Sequence, residues 1–347
     1  MMNTDATIAV ATRLRSDRRT QMKAIILFLA TMLATGTIQA ASFDCAKAVS
    51  KMEKAICGDP GLSRMDEVLG ASYAAAKTRL SAPASSMLTR GQVSWLRYTA
   101  SYCFVDYDAA PVSAANARKC LVDALGARIK DLDATGNPVA GFKTYLMVDD
   151  SIKISPAEKF IYTIQRTYPQ VDSDSGNAIK LNNFLADIDV AKFDDSRGSE
   201  SYRVALKNPT SDWLVKELQT DNMIGAYPTM DNTCTLYSLG LNRAIRVGDM
   251  FSSPAWQRIA KDAARDHFKA LARKEKDFSL DMVSGYEQFE LDPGKDFPFC
   301  VGPKGIFVEG FLPHVVQVFD GVTIGWAAFK DVLTPYARKQ VEVIAGK

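Results

Sequence analysis

The chain has 347 residues, and its 42 Lys and Arg residues nearly balance its 40 Asp and Glu residues. A near-neutral chain offers no broad cationic surface for nucleic acid or anionic lipid, so neither class of partner is predicted. A chain of this length can bury the cores of two domains, and 47% of its residues are hydrophobic.

The first 40 residues have the pattern of an export signal. Basic residues precede an apolar run over 24–34, and small and polar residues follow up to Ala40. That order is typical of a secretory signal peptide, and the apolar run is too short for a comfortable membrane span. We expect cleavage after Ala40, with Met22 as an alternative start, and a periplasmic or secreted product without a membrane span. An uncleaved N-terminal anchor is the alternative.

The chain beyond residue 40 contains six cysteines and two histidines. An even number of cysteines in an exported chain predicts disulfides. Zinc binding is the alternative, but no Cys-x-x-Cys occurs, and neither histidine lies at zinc-finger spacing from a cysteine pair. No metal or other cofactor is therefore predicted. The cysteines are Cys45, Cys57, Cys103, Cys120, Cys234 and Cys300.

Residues 41–133 are predicted to be helical, because Ala, Leu, Lys and Arg are abundant and β-branched residues are sparse. One helix is expected to begin at Ser63, whose side chain can cap it. Two further helices are expected before and after a loop at 105–113. Side chains spaced by three or four residues give each helix one buried face. These side chains are Met65, Leu69, Tyr73, Ala76 and Leu80, then Leu88, Gln92, Trp95 and Leu96, then Leu121, Leu125, Ile129 and Leu132.

The helical pattern also bears on the disulfide pairing. If the segment between Cys45 and Cys57 is one helix, it rises about 15 Å, whereas a disulfide needs Cα atoms roughly 5 to 6 Å apart. An antiparallel pair formed by the next two helices would bring Cys103 back toward Cys57. We therefore favour Cys57–Cys103 with Cys45–Cys120. The alternative is Cys45–Cys57 with Cys103–Cys120.

Residues 134–140 are predicted as a linker, and residues 141–347 as an α+β domain in which Cys234 pairs with Cys300. Strand-like and helix-like segments are mixed there without strict alternation. The predicted fold class is therefore multidomain: a disulfide-stapled all-α N-terminal module followed by an α+β domain. Strands are expected at 143–148, 201–206, 234–241, 305–311 and 321–326, and helices at 155–168, 254–274 and 326–344.

Several motifs of the first half resemble a known family. The stretch "FDCAKAVSKMEKAICGDPGLSRMDEVLGASYAAAKTRL", then "GQVSWL", "YC" and "CLVDALGARIKDL", resembles the N-terminal domain of the LprI-type lysozyme inhibitor family. The resemblance covers residues 41–133. Val93 stands where the family often has Arg, and "TASY" replaces an Arg-Asp pair. Besides the four cysteines, the residues in the family's order are Asp66, Leu69, Tyr73, Gln92 and Trp95.

Residues 141–335 resemble the extracytoplasmic domain of the RsiV-type lysozyme-sensing anti-sigma factors. The stretches "GAYPTMDNTCTLYSLGLNRAIRVGDMF" and "GIFVEGFLPHVVQVFDGVTIGWAAFKDVL" carry this resemblance. Tyr227 stands where that family commonly has His, and "PHVVQ" replaces its Pro-Tyr-Ala-Ala-Gly. The two resemblances imply an extracytoplasmic protein whose partner is a lysozyme-type glycosidase.

The sequence contains no recognisable catalytic motif. No Gly-x-Ser-x-Gly occurs. His267 lies in a predicted helix and His314 in a predicted loop, so a catalytic triad is not expected. The acidic stretch at 172–176 lacks the spacing of an EF-hand and is predicted to be a solvated turn. We therefore expect no enzymatic activity; a carboxylate pair assembled only in space is the alternative.

The favoured function is inhibition or binding of a lysozyme-type glycosidase by occlusion of its cleft. Acidic loops would speed the encounter with a basic lysozyme, and an inserted loop would supply the lasting contacts. The alternative is an envelope maintenance factor that binds peptidoglycan and assists a separate cell-wall enzyme. The candidate contact residues are Asp149, Asp150, Asp172, Asp174, Asp194 and Asp195.

Overall fold

A computed structural model describes the residues 41–105, 112–155, 160–189, 198–223, 229–276, 278–312 and 321–346. The predicted signal peptide, Asp194, Asp195 and His314 lie outside these ranges. Within them the chain has an α+β fold of helices and a mixed sheet, and the six cysteines form three disulfides. No helix in the described ranges is both long and apolar enough to cross a membrane.

The N-terminal segment is helical, as predicted, after a short 3-10 turn at Cys45–Lys47. Its second helix begins earlier than predicted, because Asp59 rather than Ser63 caps it: the Asp59 carboxylate accepts two backbone N–H hydrogen bonds. Pro60 at the first helical position also favours this start. The helices are α1 (Lys51–Gly58), α2 (Pro60–Thr78), α3 (Ala82–Tyr102) and α4 (Ala114–Asp133).

The favoured disulfide pairing in this segment is wrong. Cys45 bonds to Cys57 and Cys103 bonds to Cys120, with Cα–Cα distances of 5.7 and 5.6 Å. The segment between the first two cysteines is not one helix, because extended backbone follows the 3-10 turn and α1 starts only after its capping residue, Ser50. This change of direction brings the two cysteines within bonding distance.

The main sheet is mixed. In the described ranges its strand order is β1-β2-β4-β5-β6-β7-β8, and β3 pairs with β4 beside β2. Neighbouring strands are antiparallel except β4 and β5, which are parallel and are separated in the chain by α5 (Gly176–Ala186). The strands are β1 (Pro138–Val139), β2 (Phe142–Val148), β3 (Ser151–Ser155), β4 (Phe160–Val171), β5 (Gly198–Lys207), β6 (Trp213–Asn222), β7 (Thr229–Ser238) and β8 (Arg243–Ala244).

The segment 155–168, predicted to be a helix, is strand β4 from residue 160 onward. Its Ile161, Thr163 and Ile164 are β-branched and favour a strand, which the charged residues around them obscured. Strands β2 and β3 pair with one edge of β4, and β5 pairs with the other. Pairing along both edges therefore decides the conformation of this segment.

The helical segment shares its hydrophobic core with the sheet. Leu88 and Leu125 are buried in that core, as their spacing predicted, whereas Leu96 is exposed. Strand β2 contributes Tyr145 and Met147 to the same core. Residues 134–140, predicted as a linker, contain β1 and are hydrogen-bonded to β2. The helices are thus held directly against one end of the sheet.

A second core lies in the C-terminal part, where Cys234–Cys300 joins β7 to a three-stranded sheet, as predicted. The predicted helix at 326–344 is two helices, because Thr334 caps a new one with Pro335 at its first position. Trp213 is buried in this core. The remaining elements are β9 (Cys300–Gly302), β10 (Gly305–Val308), β11 (Val322–Gly325), α6 (Val247–Met250), α7 (Ala255–Ala272), α8 (Trp326–Phe329) and α9 (Pro335–Ile344).

Candidate functional site: a cavity around Arg128

A cavity of about 500 Å³ lies where α3 and α4 meet the strands of the main sheet. This volume is in the range of small-molecule sites. We call it the Arg128 cavity. Its lining includes Trp95, Tyr98, Tyr102, Arg128, Asp131, Asp150, Gln165, Thr167 and Arg203.

Arg128 lies on the buried face of α4, between Leu125 and Leu132, and is only 1% exposed. Its Nε donates a hydrogen bond to Oε1 of Gln92 at 2.8 Å. Its two other guanidinium nitrogens, Nη1 and Nη2, are buried and have no hydrogen-bond partner in the described part of the chain. A buried cation with two free donors is costly unless something else pairs with it.

Burial lowers the pKa of Arg128, while the nearby carboxylates of Asp131 and Asp150 act in the opposite direction. A guanidinium nevertheless stays protonated in proteins, because its ordinary pKa is far above neutral. The cavity therefore contains a permanent positive charge.

Asp150 is held in the turn after β2 by two hydrogen bonds between its backbone and the side chain of Ser94. Its N–H donates to Ser94 Oγ at 2.9 Å, and that hydroxyl donates to the Asp150 carbonyl at 3.0 Å. The backbone N–H of Arg166 donates to the Asp150 carboxyl at 3.2 Å. Burial raises the pKa of Asp150 to about 7, against the lowering effects of that hydrogen bond and of Arg128. This carboxyl is thus divided between its neutral and ionised forms near neutral pH.

Asp131 follows Arg128 by one helical turn and also lines the cavity. Burial raises its pKa, and the positive charges of Arg128 and Arg203 partly oppose the rise. Both acids of the inner wall therefore hold protons more tightly than ordinary carboxyls. Because the pKa of Asp150 is about 7, its negative charge compensates Arg128 less than an ordinary carboxylate would.

Aromatic side chains of α3 form another part of the wall. The rings of Tyr98 and Tyr102 stack with their centroids 5.2 Å apart. Trp95 is buried in the core, as predicted, and also lines the cavity. Aromatic faces beside a few fixed polar groups are typical of sites for small organic ligands.

Local chain features hold the two walls in place. The Cys103–Cys120 disulfide joins the end of α3 to α4 and itself lines the cavity. Gly91 lets α3 approach β2, because a Cβ there would lie 3.2 Å from the backbone nitrogen of Val148. A larger residue at this position would push α3, which carries Gln92, away from the strand.

The four acidic contact candidates in the described part of the chain do not form one exposed surface. Asp149 forms an ion pair with Arg166, and the Asp172 carboxylate accepts hydrogen bonds from the backbone and hydroxyl of Ser81. Asp150 belongs to the cavity wall. Asp174 is exposed, and Asp194 and Asp195 lie outside the described residues.

Sequence reasoning missed Arg128. The signal was present, because Arg128 falls three residues after Leu125 and four before Leu132, on a face that helical spacing reserves for apolar side chains. Gln92 was predicted on a buried helix face and noted in the family resemblance, but neither observation paired it with Arg128. His267 lies on a helix, as predicted, and is exposed on α7. Among the described residues, no group of three or more His, Cys, Asp or Glu is arranged for a metal ion.

Fold and site together describe an α+β protein with three disulfides and a cation buried beside a cavity. No family model matches the chain, and no curated protein matches it. Two solved structures are similar over part of it. A DUF3298 family protein from Pseudomonas aeruginosa has 10% identity and a TM-score of 0.44, with 58% of this chain and 98% of that chain covered. A member of the DUF3298 family from Bacteroides fragilis has 12% identity and a TM-score of 0.45, with 62% and 100% covered.

Proposed function

We propose that the protein is an exported binding protein that inhibits or binds a lysozyme-type glycosidase by occluding its cleft, and that it catalyses no reaction. The resemblance of residues 41–133 to the LprI-type inhibitor family carries this proposal. The four cysteines of the resemblance close two disulfides inside that segment. Disulfides of this kind are typical of an oxidising, extracytoplasmic compartment.

The residues that carry the resemblance hold the scaffold together. Asp66 accepts hydrogen bonds from the backbone and hydroxyl of Ser42 at 2.7 and 2.6 Å, and Gln92 accepts one from Arg128. Leu69 is buried in the shared core. In this proposal the scaffold is inherited from an inhibitor family, and exposed loops select the partner.

Titration of lysozyme with the mature protein tests the proposal. We expect the hydrolysis of cell-wall substrate to fall with added protein and to level off at a fixed molar ratio, because cleft occlusion is stoichiometric. Full activity at a large molar excess, together with no complex on size-exclusion chromatography, would contradict it.

A substitution of Asp174 tests whether this residue contributes to the association with lysozyme. It is the exposed candidate among the described acidic residues. If it steers the encounter, Asp174→Asn should lower the association rate at low salt and leave the dissociation rate unchanged. Glu67→Gln, an exposed charge on α2, is the matched control. Equal association rates for the two variants would remove Asp174 from the contact surface.

The second candidate is an envelope maintenance factor that binds peptidoglycan. The Arg128 cavity favours it, because a fixed cation beside aromatic rings suits the carboxylate-bearing sugars and peptides of the cell wall. Sedimentation with purified peptidoglycan sacculi tests this alternative. Recovery of the protein in the supernatant at all sacculus concentrations would reject it.

A further inference from the structure

We propose that the Arg128 cavity binds a small carboxylate-bearing sugar of the muramic acid class, with the ligand carboxylate paired to Arg128. The choice of sugar rests on the peptidoglycan alternative above. The inference does not depend on glycosidase binding.

Arg128 lacks a partner for part of its guanidinium group. Nη1 and Nη2 of Arg128 are buried, and neither has a hydrogen-bond partner in the described part of the chain. Its one hydrogen bond, from Nε to Gln92, orients the guanidinium plane and leaves the other two nitrogens without an acceptor. Two parallel N–H groups of a guanidinium match the two oxygens of a carboxylate.

The acids near Arg128 do not supply the missing carboxylate. The Asp150 carboxyl accepts from the Arg166 backbone, and neither Asp150 nor Asp131 is hydrogen-bonded to Arg128. A protein that needed Arg128 only for stability would have satisfied it internally, as buried ions generally are. The carboxylate of a bound ligand supplies the negative charge and the hydrogen-bond acceptors that Arg128 lacks.

The other side chains that line the Arg128 cavity, and its volume, suit a sugar. Tyr102 presents a half-buried ring beside the stacked Tyr98, and such rings pack against the apolar face of a sugar. Gln165 and Thr167 of β4 add side-chain groups that can hydrogen-bond hydroxyl and acetamido groups. The volume of about 500 Å³ accommodates a monosaccharide with its substituents.

The test compares two sugars that differ in the carboxylate. N-acetylmuramic acid carries a lactyl carboxylate, and N-acetylglucosamine lacks it. Calorimetric titration of the mature, oxidised protein should show N-acetylmuramic acid binding at least about tenfold more tightly, since charge-assisted hydrogen bonds are lost with the second sugar. Equal affinities, or no binding of either sugar, would overturn the inference.

Variants assign the effect to Arg128. Arg128→Met should lower the affinity for N-acetylmuramic acid to that for N-acetylglucosamine, and Arg128→Lys should restore only part of it, because a lysine lacks the planar fork. Arg97→Met, an exposed arginine of α3, should bind as the unaltered protein does. Tyr102→Ala should lower the affinity for both sugars by the same factor. It tests the same site if Arg128→Met fails to fold. Unchanged binding by Arg128→Met, or by Tyr102→Ala, would reject this site.

The outcome separates this inference from the functions proposed above. Sugar discrimination without retention on sacculi would keep the cavity site and remove the peptidoglycan function. Retention on sacculi without sugar discrimination would keep the peptidoglycan function and reject the cavity site. Lysozyme inhibition that is unaffected by Arg128→Met would place glycosidase binding elsewhere on the molecule.

Discussion

Two hydrophobic cores of the described residues, one in the helical segment and one in the C-terminal part, bury polar groups in different ways. In the C-terminal core, Trp213 Nε1 donates to the Tyr336 hydroxyl at 2.9 Å, and that hydroxyl donates to the Asp212 carboxylate at 2.6 Å. Ser238 and the backbone of Gly240 also donate to Asp212. This network ties α9 to the sheet and is satisfied within the chain. In the N-terminal core, Arg128 keeps two unpartnered nitrogens.

The difference separates a structural network from a candidate site. A fully satisfied buried network adds rigidity, whereas an unsatisfied buried cation lowers stability unless a ligand pairs with it. The apolar parts of these cores differ as well. The C-terminal core is rich in aromatic rings and contains one disulfide that closes a long loop of the chain. The N-terminal core consists largely of leucines, and its segment has two disulfides that close short loops.

The largest expected effect is on the aromatic core. Trp256 is buried and stacks on Phe251 with centroids 4.7 Å apart. Trp256→Ala should lower the free energy of unfolding by about 3–5 kcal/mol, because it leaves a large cavity. Urea denaturation measures this, and Trp256→Phe, which keeps a ring, should lose less. Equal losses for the two variants would contradict the packing argument.

The next largest effect is the loss of stability when the Cys234–Cys300 or the Cys45–Cys57 disulfide is removed. Cys234→Ala/Cys300→Ala opens a sequence separation of 66 residues and should cost about 4 kcal/mol on the chain-entropy model. Cys45→Ala/Cys57→Ala opens a separation of 12 residues and should cost about 3 kcal/mol. Denaturant midpoints of the two variants measure the difference. A larger loss at the short bridge would show that native contacts, rather than loop length, set the order.

Replacement of Arg128 by an apolar side chain should stabilise the protein, because its guanidinium is buried with two unpaired nitrogens. Arg128→Met/Gln92→Leu should raise the free energy of unfolding by about 1–3 kcal/mol, because apolar side chains replace a buried charge and its single partner. Arg128→Met alone should gain less, since Gln92 would then lack its donor. Thermal and denaturant unfolding measure both. A strong destabilisation of the double variant would assign Arg128 a structural role.

The smallest expected effect is a pH dependence. The pKa of Asp150 is raised to about 7 in the folded protein, so its contribution to stability is complete at low pH and is lost as the pH rises through that value. The free energy of unfolding should fall by about 1 kcal/mol between about pH 6 and pH 8 from this group. Arg128 keeps its charge throughout, because a guanidinium stays protonated in this range, and the raised pKa of Asp131 acts with the same sign.

Asp150→Asn isolates that contribution. The variant should lose this part of the pH dependence, while Asp174→Asn, an exposed control, should keep it. Chemical denaturation at several pH values measures the slopes. Identical slopes for the two variants would contradict the assignment to Asp150.

Particular elements show how far sequence patterns reach. Helical spacing predicted the buried faces of α2, α3 and α4, since one amphipathic helix is a local object. The same reasoning failed at β4, because a central strand is stabilised by partners distant in sequence. It also failed for Cys45 and Cys57, where the cap at Ser50 breaks the assumed helix. The Arg128 cavity was missed because its walls come from α3, α4 and three strands.

The sequence by itself determined that the cysteines are paired, that residues 41–133 are helical and that residues 141–347 mix strands with helices, because composition and short-range periodicity carry that information. Tertiary structure alone decided which cysteines meet in the helical segment and that an arginine on an apolar helix face borders a cavity. Both depend on contacts between elements far apart in the chain, where the direction taken at each helix end fixes which groups are close enough to bond.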